Sequence, residues 1–95
     1  MRTIKYTTRF KRDYKREKKS ARYRAILETS LLDAVKLLAT DVPLPASYRD
    51  HSLINDWKDH RDCHIKPDLV LIYRKPDSKT LELVRLGSHN QLGLC

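Results

Sequence analysis

The 95 residues carry 20 Lys and Arg against 12 Asp and Glu, a formal charge of +8, and 40% of them are apolar. Such a chain has room for one core, holds too much Leu, Ile and Val to stay disordered, and at a pI near 9.7 has the electrostatic footprint of a polyanion binder. Gly87 and Gly93 are its only glycines, so no glycine loop cradles phosphates, which excludes the common nucleotide-hydrolysing and dinucleotide-binding classes.

In chain order, MRTIKYTTRF lacks the apolar stretch of a signal peptide. No run of about 18 apolar residues follows that could span a membrane. The reading is a cytoplasmic protein with no membrane partner, whose two cysteines, Cys63 and Cys95, stay as thiols. Residues 2–7 alternate, with Ile4 and Tyr6 on one face, and predict a short strand. Residues 8–19 place Phe10 and Tyr14 at i, i+4 and predict a basic helix with a narrow apolar stripe. Residues 21–39 bring Tyr23, Ile26, Leu27, Leu31, Ala34, Val35 and Leu38 back at helical spacing, with Ser20 available as a cap. That helix stops near Thr40 because DVPLP follows, and a residue before proline avoids the α region.

Residues 41–59 read as an irregular segment holding His51 and Trp57, of the kind that carries binding groups on a rigid scaffold. Three strands come next. Residues 60–66 put Asp62, His64 and Lys66 on one face and Cys63 and Ile65 on the other. Residues 69–75 are apolar on both faces, as in a central strand, and residues 80–86 form the last. KPDL and KPDSKT join them with proline and aspartate where turns use them. The expected fold is α+β in the order β-α-α-β-β-β: an antiparallel sheet in a single domain over 1–95, two helices on one face, the other face open for binding.

The chemistry-bearing set is His51, His60, His64, Asp62, Asp68, Arg85 and His89. Histidine suits both giving and taking a proton near neutrality. RNA cleavage by its own 2′-hydroxyl needs a base, an acid and cations on the phosphorane, with no metal or cofactor. His60, Cys63 and His64 raise the question of a metal. Strand alternation, however, turns Cys63 and His64 to opposite faces, and no C-x₂-C pair is present. Trp57 is either an apolar anchor under its loop or a platform for an RNA base. Arg85 is either a partner for an acidic residue or a fork for phosphate.

The stretches PLPASYRDHSL, DWKDHRDCHIKPDLVLIYR and VRLGSHNQLG resemble the YafQ group of the RelE/ParE toxin superfamily over nearly the whole chain. That resemblance implies a ribosome-dependent mRNA endonuclease that cuts A-site codons, the toxin of a type II toxin–antitoxin pair. It implies as partners a DinJ-like antitoxin and mRNA on the 70S ribosome, with operator DNA open to the toxin–antitoxin complex. The family's catalytic positions fall on His51, His64, Asp68 and His89, and its phosphate-binding arginine on Arg85. Lys58, Arg61, Lys66 and Trp57 are further RNA contacts, and His60 is surface. His89 is expected as the acid and either His51 or the His64–Asp68 pair as the base. One departure stands out: the family's C-terminal phenylalanine is Gly93 here. Two other readings stay open, a ParE-like toxin that is no nuclease and a basic RNA-binding module without catalysis.

Overall fold

The computed structural model describes residues 1–20 and 23–94; the expectation for Cys95 lies outside them. The chain runs β1 (Thr3–Tyr6), α1 (Thr8–Lys19), α2 (Arg24–Ile26), a π-helical stretch (Leu27–Leu31), α3 (Leu32–Ala39), β2 (His51–Ser52), β3 (Arg61–Lys66), β4 (Leu69–Arg74) and β5 (Thr80–Gly87). Single 3₁₀ turns at Ala46–Tyr48 and Asn55–Trp57 flank β2. The five strands form one sheet in the order β1-β5-β4-β3-β2.

Four features differ from the sequence reading. β1 pairs with β5 in parallel, Ile4 opposite Leu81, so the sheet is mixed. The second helix widens to π geometry over Leu27–Leu31 while its backbone stays right-handed helical on both sides. Its first described turn has Tyr23, not Ser20, at the N-cap position, and the Ser20 carbonyl accepts from the Tyr23 and Arg24 N–H groups. The two-residue β2 was not anticipated, because a strand that short leaves no periodicity to read.

β4 explains the layering. Leu69, Leu71 and Tyr73 face the helices, joining Phe10, Leu27, Leu31, Ala34, Val35 and Leu38 in the main core. Val70 and Ile72 face the other way and form a second, smaller core with Val84 and Leu92, against which Leu53, Trp57 and Leu94 pack. The face expected to be open is therefore partly covered, because a strand apolar on both sides must be shielded on both.

α1 is fixed at both ends of its buried face. Thr7 caps it, accepting from the Phe10 N–H at 2.9 Å and donating to the Val84 carbonyl at 2.7 Å. Buried Asp13 accepts from Arg85 Nε at 2.6 Å and from the Leu86 N–H at 3.1 Å, and Arg16 adds a third donor at 3.0 Å. A bulge in β5 opposite Ile72 and Tyr73 sets this up. The extra residue puts Val84 and Arg85 on the same side of the sheet, and Arg85 reaches past the strand edge to α1.

Burial pushes the Asp13 carboxyl up, but the Arg85 bond, the Leu86 N–H and the Arg16 charge more than offset it, and the group lies below its ordinary value of 3.8. Its stabilisation is complete above that value and is lost as pH falls below it. Asp13→Ala is expected to cost about 3 kcal/mol in denaturant unfolding, since it leaves a largely buried guanidinium uncompensated. Asp13→Asn is expected to flatten the loss of stability on the acid side; an unchanged acid limb would contradict this account.

Candidate active site

Three of the four histidines meet on the face opposite the helices. β2 pairs with β3 so that His51 stands directly opposite Asp62. His64 follows Asp62 by two residues and so shares its face. β5 ends at Gly87, and the turn after it returns His89 to the same place. The His51 and His64 ring centres are 6.5 Å apart and those of His64 and His89 5.0 Å. His60 stays out of this row: half-buried rather than on the surface, it packs edge-on against Trp57 at 5.4 Å.

Asp62 lies under the rings, and only 2% of its surface is exposed. His51 Nδ1 lies 2.9 Å from Asp62 Oδ1 and also 2.9 Å from the Arg49 carbonyl. A carbonyl oxygen only accepts, so the second contact assigns the proton of neutral His51 to Nδ1 and leaves Nε2 as its basic nitrogen. The Asp62 contact then lies outside hydrogen-bond geometry, and Oδ1 is a buried oxygen with no hydrogen-bond donor among the described residues. Burial raises the Asp62 carboxyl, while His51, His64 and His89 pull it back. Burial likewise lowers His64; Asp62 opposes that, and His89, Arg49 and His51 reinforce it. His64 is thus held in the neutral form that a base requires.

The other predicted residues fall in three groups. Lys58 and Lys66 are exposed, as electrostatic contacts would be. Arg61 is engaged, with Nε donating to Asp50 at 3.2 Å and a terminal nitrogen to Ser52 Oγ at 3.0 Å. Buried Tyr73 also donates to Asp50, at 2.6 Å, so the residue before His51 is clasped from two sides. Arg85 takes the ion-paired alternative, with two of its nitrogens on Asp13. Trp57 packs against the second core, the anchoring alternative. Asp68 is exposed in the turn between β3 and β4, and the carboxylate facing His64 is Asp62.

The sequence places Asp62 among the chemistry-bearing residues but gives it no role at the site. Its signal was the i, i+2 spacing to His64; only the pairing to β2 shows that His51 lies opposite. Two clefts flank the rings. One, about 490 Å³, holds His51, Asp62 and His89 together with Trp57, Gly93 and Leu94. The other, about 430 Å³, lies on the far side of His64. Gly93 has φ +71°, and a Cβ there would meet nothing within 4 Å. A side chain at this position would begin in open space beside the cleft.

His64 should titrate below 6.5, its ordinary value, in an NMR pH titration. Asp62→Asn should lower it further by removing the charge that favours its protonated form. With a depressed pKa, folded His64 binds its proton later than the unfolded chain, so stability should fall as pH drops from 6.5 through the folded-state value. His64→Gln should remove that loss, and an upward shift of His64 in Asp62→Asn would overturn this assignment.

The family model for YafQ, a bacterial toxin of type II toxin–antitoxin systems, matches residues 2–93. The mRNA interferase toxin YafQ of Escherichia coli (strain B / BL21-DE3) is 38% identical over 91 residues, which cover 96% of this chain and 95% of the relative. The crystal structure of YafQ from E. coli strain BL21(DE3) aligns with a TM-score of 0.80 at 36% identity, over 97% of this chain and 98% of that one. A chain of the crystal structure of the E. coli DinJ–YafQ toxin–antitoxin complex aligns at 0.78 and 37% identity, over 96% of each.

Proposed function

Since the chain belongs to the YafQ family of type II toxin–antitoxin toxins, we propose that it is a ribosome-dependent endoribonuclease that cuts mRNA within A-site codons. The observation that carries this reading is the row of His51, His64 and His89 around one buried carboxylate. Three imidazoles on a basic surface are the groups that cleavage by the 2′-hydroxyl needs. A toxin acting only by binding a protein has no use for them, and neither has a passive RNA-binding module.

His64 takes the proton of the 2′-hydroxyl, supported by its lowered pKa. The 2′-oxygen attacks phosphorus, and His89 protonates the departing 5′-oxygen. A 2′,3′-cyclic phosphate and a 5′-hydroxyl result. His51, with Nε2 unencumbered, is placed to donate to the phosphorane when protonated, and its charge adds to that of Lys58 and Lys66. Asp62 acts on His64 through its charge, opposing the effect of burial by favouring the protonated ring that forms once the proton is taken. Asp68, at the exposed turn beyond His64, lies outside the proton path. Arg85 presents to RNA only the part of its fork that Asp13 leaves open. A DinJ-like antitoxin is the partner that would hold this activity in check in the cytoplasm, and the complex of the two is the form that would meet operator DNA.

Primer extension on a defined mRNA in a purified translation system tests the proposal. Wild type should cut within A-site codons only when ribosomes are present, and His89→Ala should be slower by about 10²- to 10⁴-fold. Undiminished cutting by His89→Ala would remove the assigned acid. Ribosome-independent cutting would remove the A-site reading.

A further inference from the structure

The cleft on the far side of His64 has no part in the proton transfers just described. Ser30, Ser47, Tyr48, Arg49, His64 and Lys66 line it, in a volume of about 430 Å³. Its cations differ from the arginines considered so far. Arg61 is committed to Asp50 and Ser52, and Arg85 to Asp13. Arg49 and Lys66 are both exposed, and neither side chain has a hydrogen-bond or carboxylate partner among the described residues. They converge from separate elements. Lys66 is the last residue of β3, and a bulge after His64 sets it opposite Leu69, at the end of the strand where the cleft opens. Arg49 closes the 3₁₀ turn Ala46–Tyr48 in a left-handed conformation, φ 49° and ψ 44°. One residue thus turns its carbonyl to His51 and lends its side chain to the cleft beside His64.

The rings of His51, His64 and His89 therefore form a ridge with a hollow on each side. The hollow holding Trp57 and Leu94 is lined with apolar groups and two carboxylates, Asp56 and Asp62. The hollow holding Arg49 and Lys66 has two unengaged cations, two hydroxyls and the half-buried ring of Tyr48, with no carboxylate in its lining. An anionic chain laid across the ridge meets acid on one side and uncompensated positive charge on the other.

We propose that the Arg49–Lys66 cleft is a phosphate subsite for single-stranded RNA, holding a backbone phosphate next to the one that is cut. The chemistry at the ridge rests on the endonuclease reading; the subsite itself does not. Arg49 contributes a planar fork and Lys66 a point charge, and the phosphate they hold sets which linkage lies over His64.

The probe is a single-stranded oligoribonucleotide with every 2′-hydroxyl methylated, which lacks the nucleophile and cannot be cut. Binding is measured against salt for wild type, Arg49→Gln, the Arg49→Gln/Lys66→Gln pair, and a control pair Lys18→Gln/Lys19→Gln at the end of α1. Glutamine and arginine face the same left-handed backbone cost, so Arg49→Gln leaves folding intact. Each lost phosphate contact should lower the slope of log affinity against log salt by about 0.7. The subsite pair should therefore lose slope and affinity, and the control pair should lose less. An unchanged slope in the subsite pair, an equal loss in the control pair, or no binding by wild type at low salt would overturn the proposal.

A second readout separates the subsite from a generally weakened surface. Removing the Arg49 charge lets His64 hold its proton more firmly, so the acid limb of the cleavage rate should move to higher pH in Arg49→Gln, and the limb of the control pair should not. Wild type that binds with the expected slope yet never cuts on ribosomes would leave the subsite standing and remove the nuclease. Wild type that cuts, with the subsite pair equal to it in KM and slope, would do the reverse.

Discussion

A central strand that is apolar on both sides governs this molecule. Residues 69–73 of β4 are at most 2% exposed, so neither face of the sheet can be left to water. The helices shield one face. The other is shielded by short pieces: the loops around β2 and the turn after β5, which close over Val70, Ile72 and Val84. Those same pieces bear His51 and His89. Shielding β4 and assembling the histidines are thus one structural event, and the side chains on the ridge are positioned by the packing beneath them.

Several of the twelve acidic residues, buried or half-buried, act as fasteners. Asp13 ties Arg85 and the β5 backbone to α1. Asp50 joins Tyr73 and Arg61 just before His51. Asp62 lies under the rings. Each carboxylate immobilises particular cations and so decides, by subtraction, which others stay available to an anionic ligand. In a protein of net charge +8, the pattern of neutralisation carries more information than the total.

Much of the fold was legible because its elements are long and periodic. The alternation in 61–65 and the doubly apolar 69–74 bury as their spacing predicts, whereas a bulge breaks the alternation before Lys66 and α1 buries Asp13 and Glu17 beside Phe10, with Tyr14 half-buried. What escaped was set by partners distant in sequence. The parallel pairing of β1 depends on β5, about 75 residues on. The role of Asp62 depends on a two-residue strand. The commitments of Arg61 and Arg85 depend on Asp50 and Asp13, and nothing local distinguishes an arginine about to be paired from one left open. The histidines were found through a family likeness; residue type alone would have included His60 with the other three.

The parallel ladder between β1 and β5 has a consequence in time. It joins the earliest strand of the chain to the latest, and the Arg2 guanidinium fastens the same junction by donating to the Asp77 and Thr80 carbonyls. During synthesis the partner of β1 is the last strand to be made, so neither that ladder nor the turn bearing His89 can form while the preceding residues emerge. A non-local closure of this kind is also slow, because the chain entropy must be lost before the contacts are gained. The complete ridge of His51, His64 and His89 therefore first exists once residues 80–89 are out and folded.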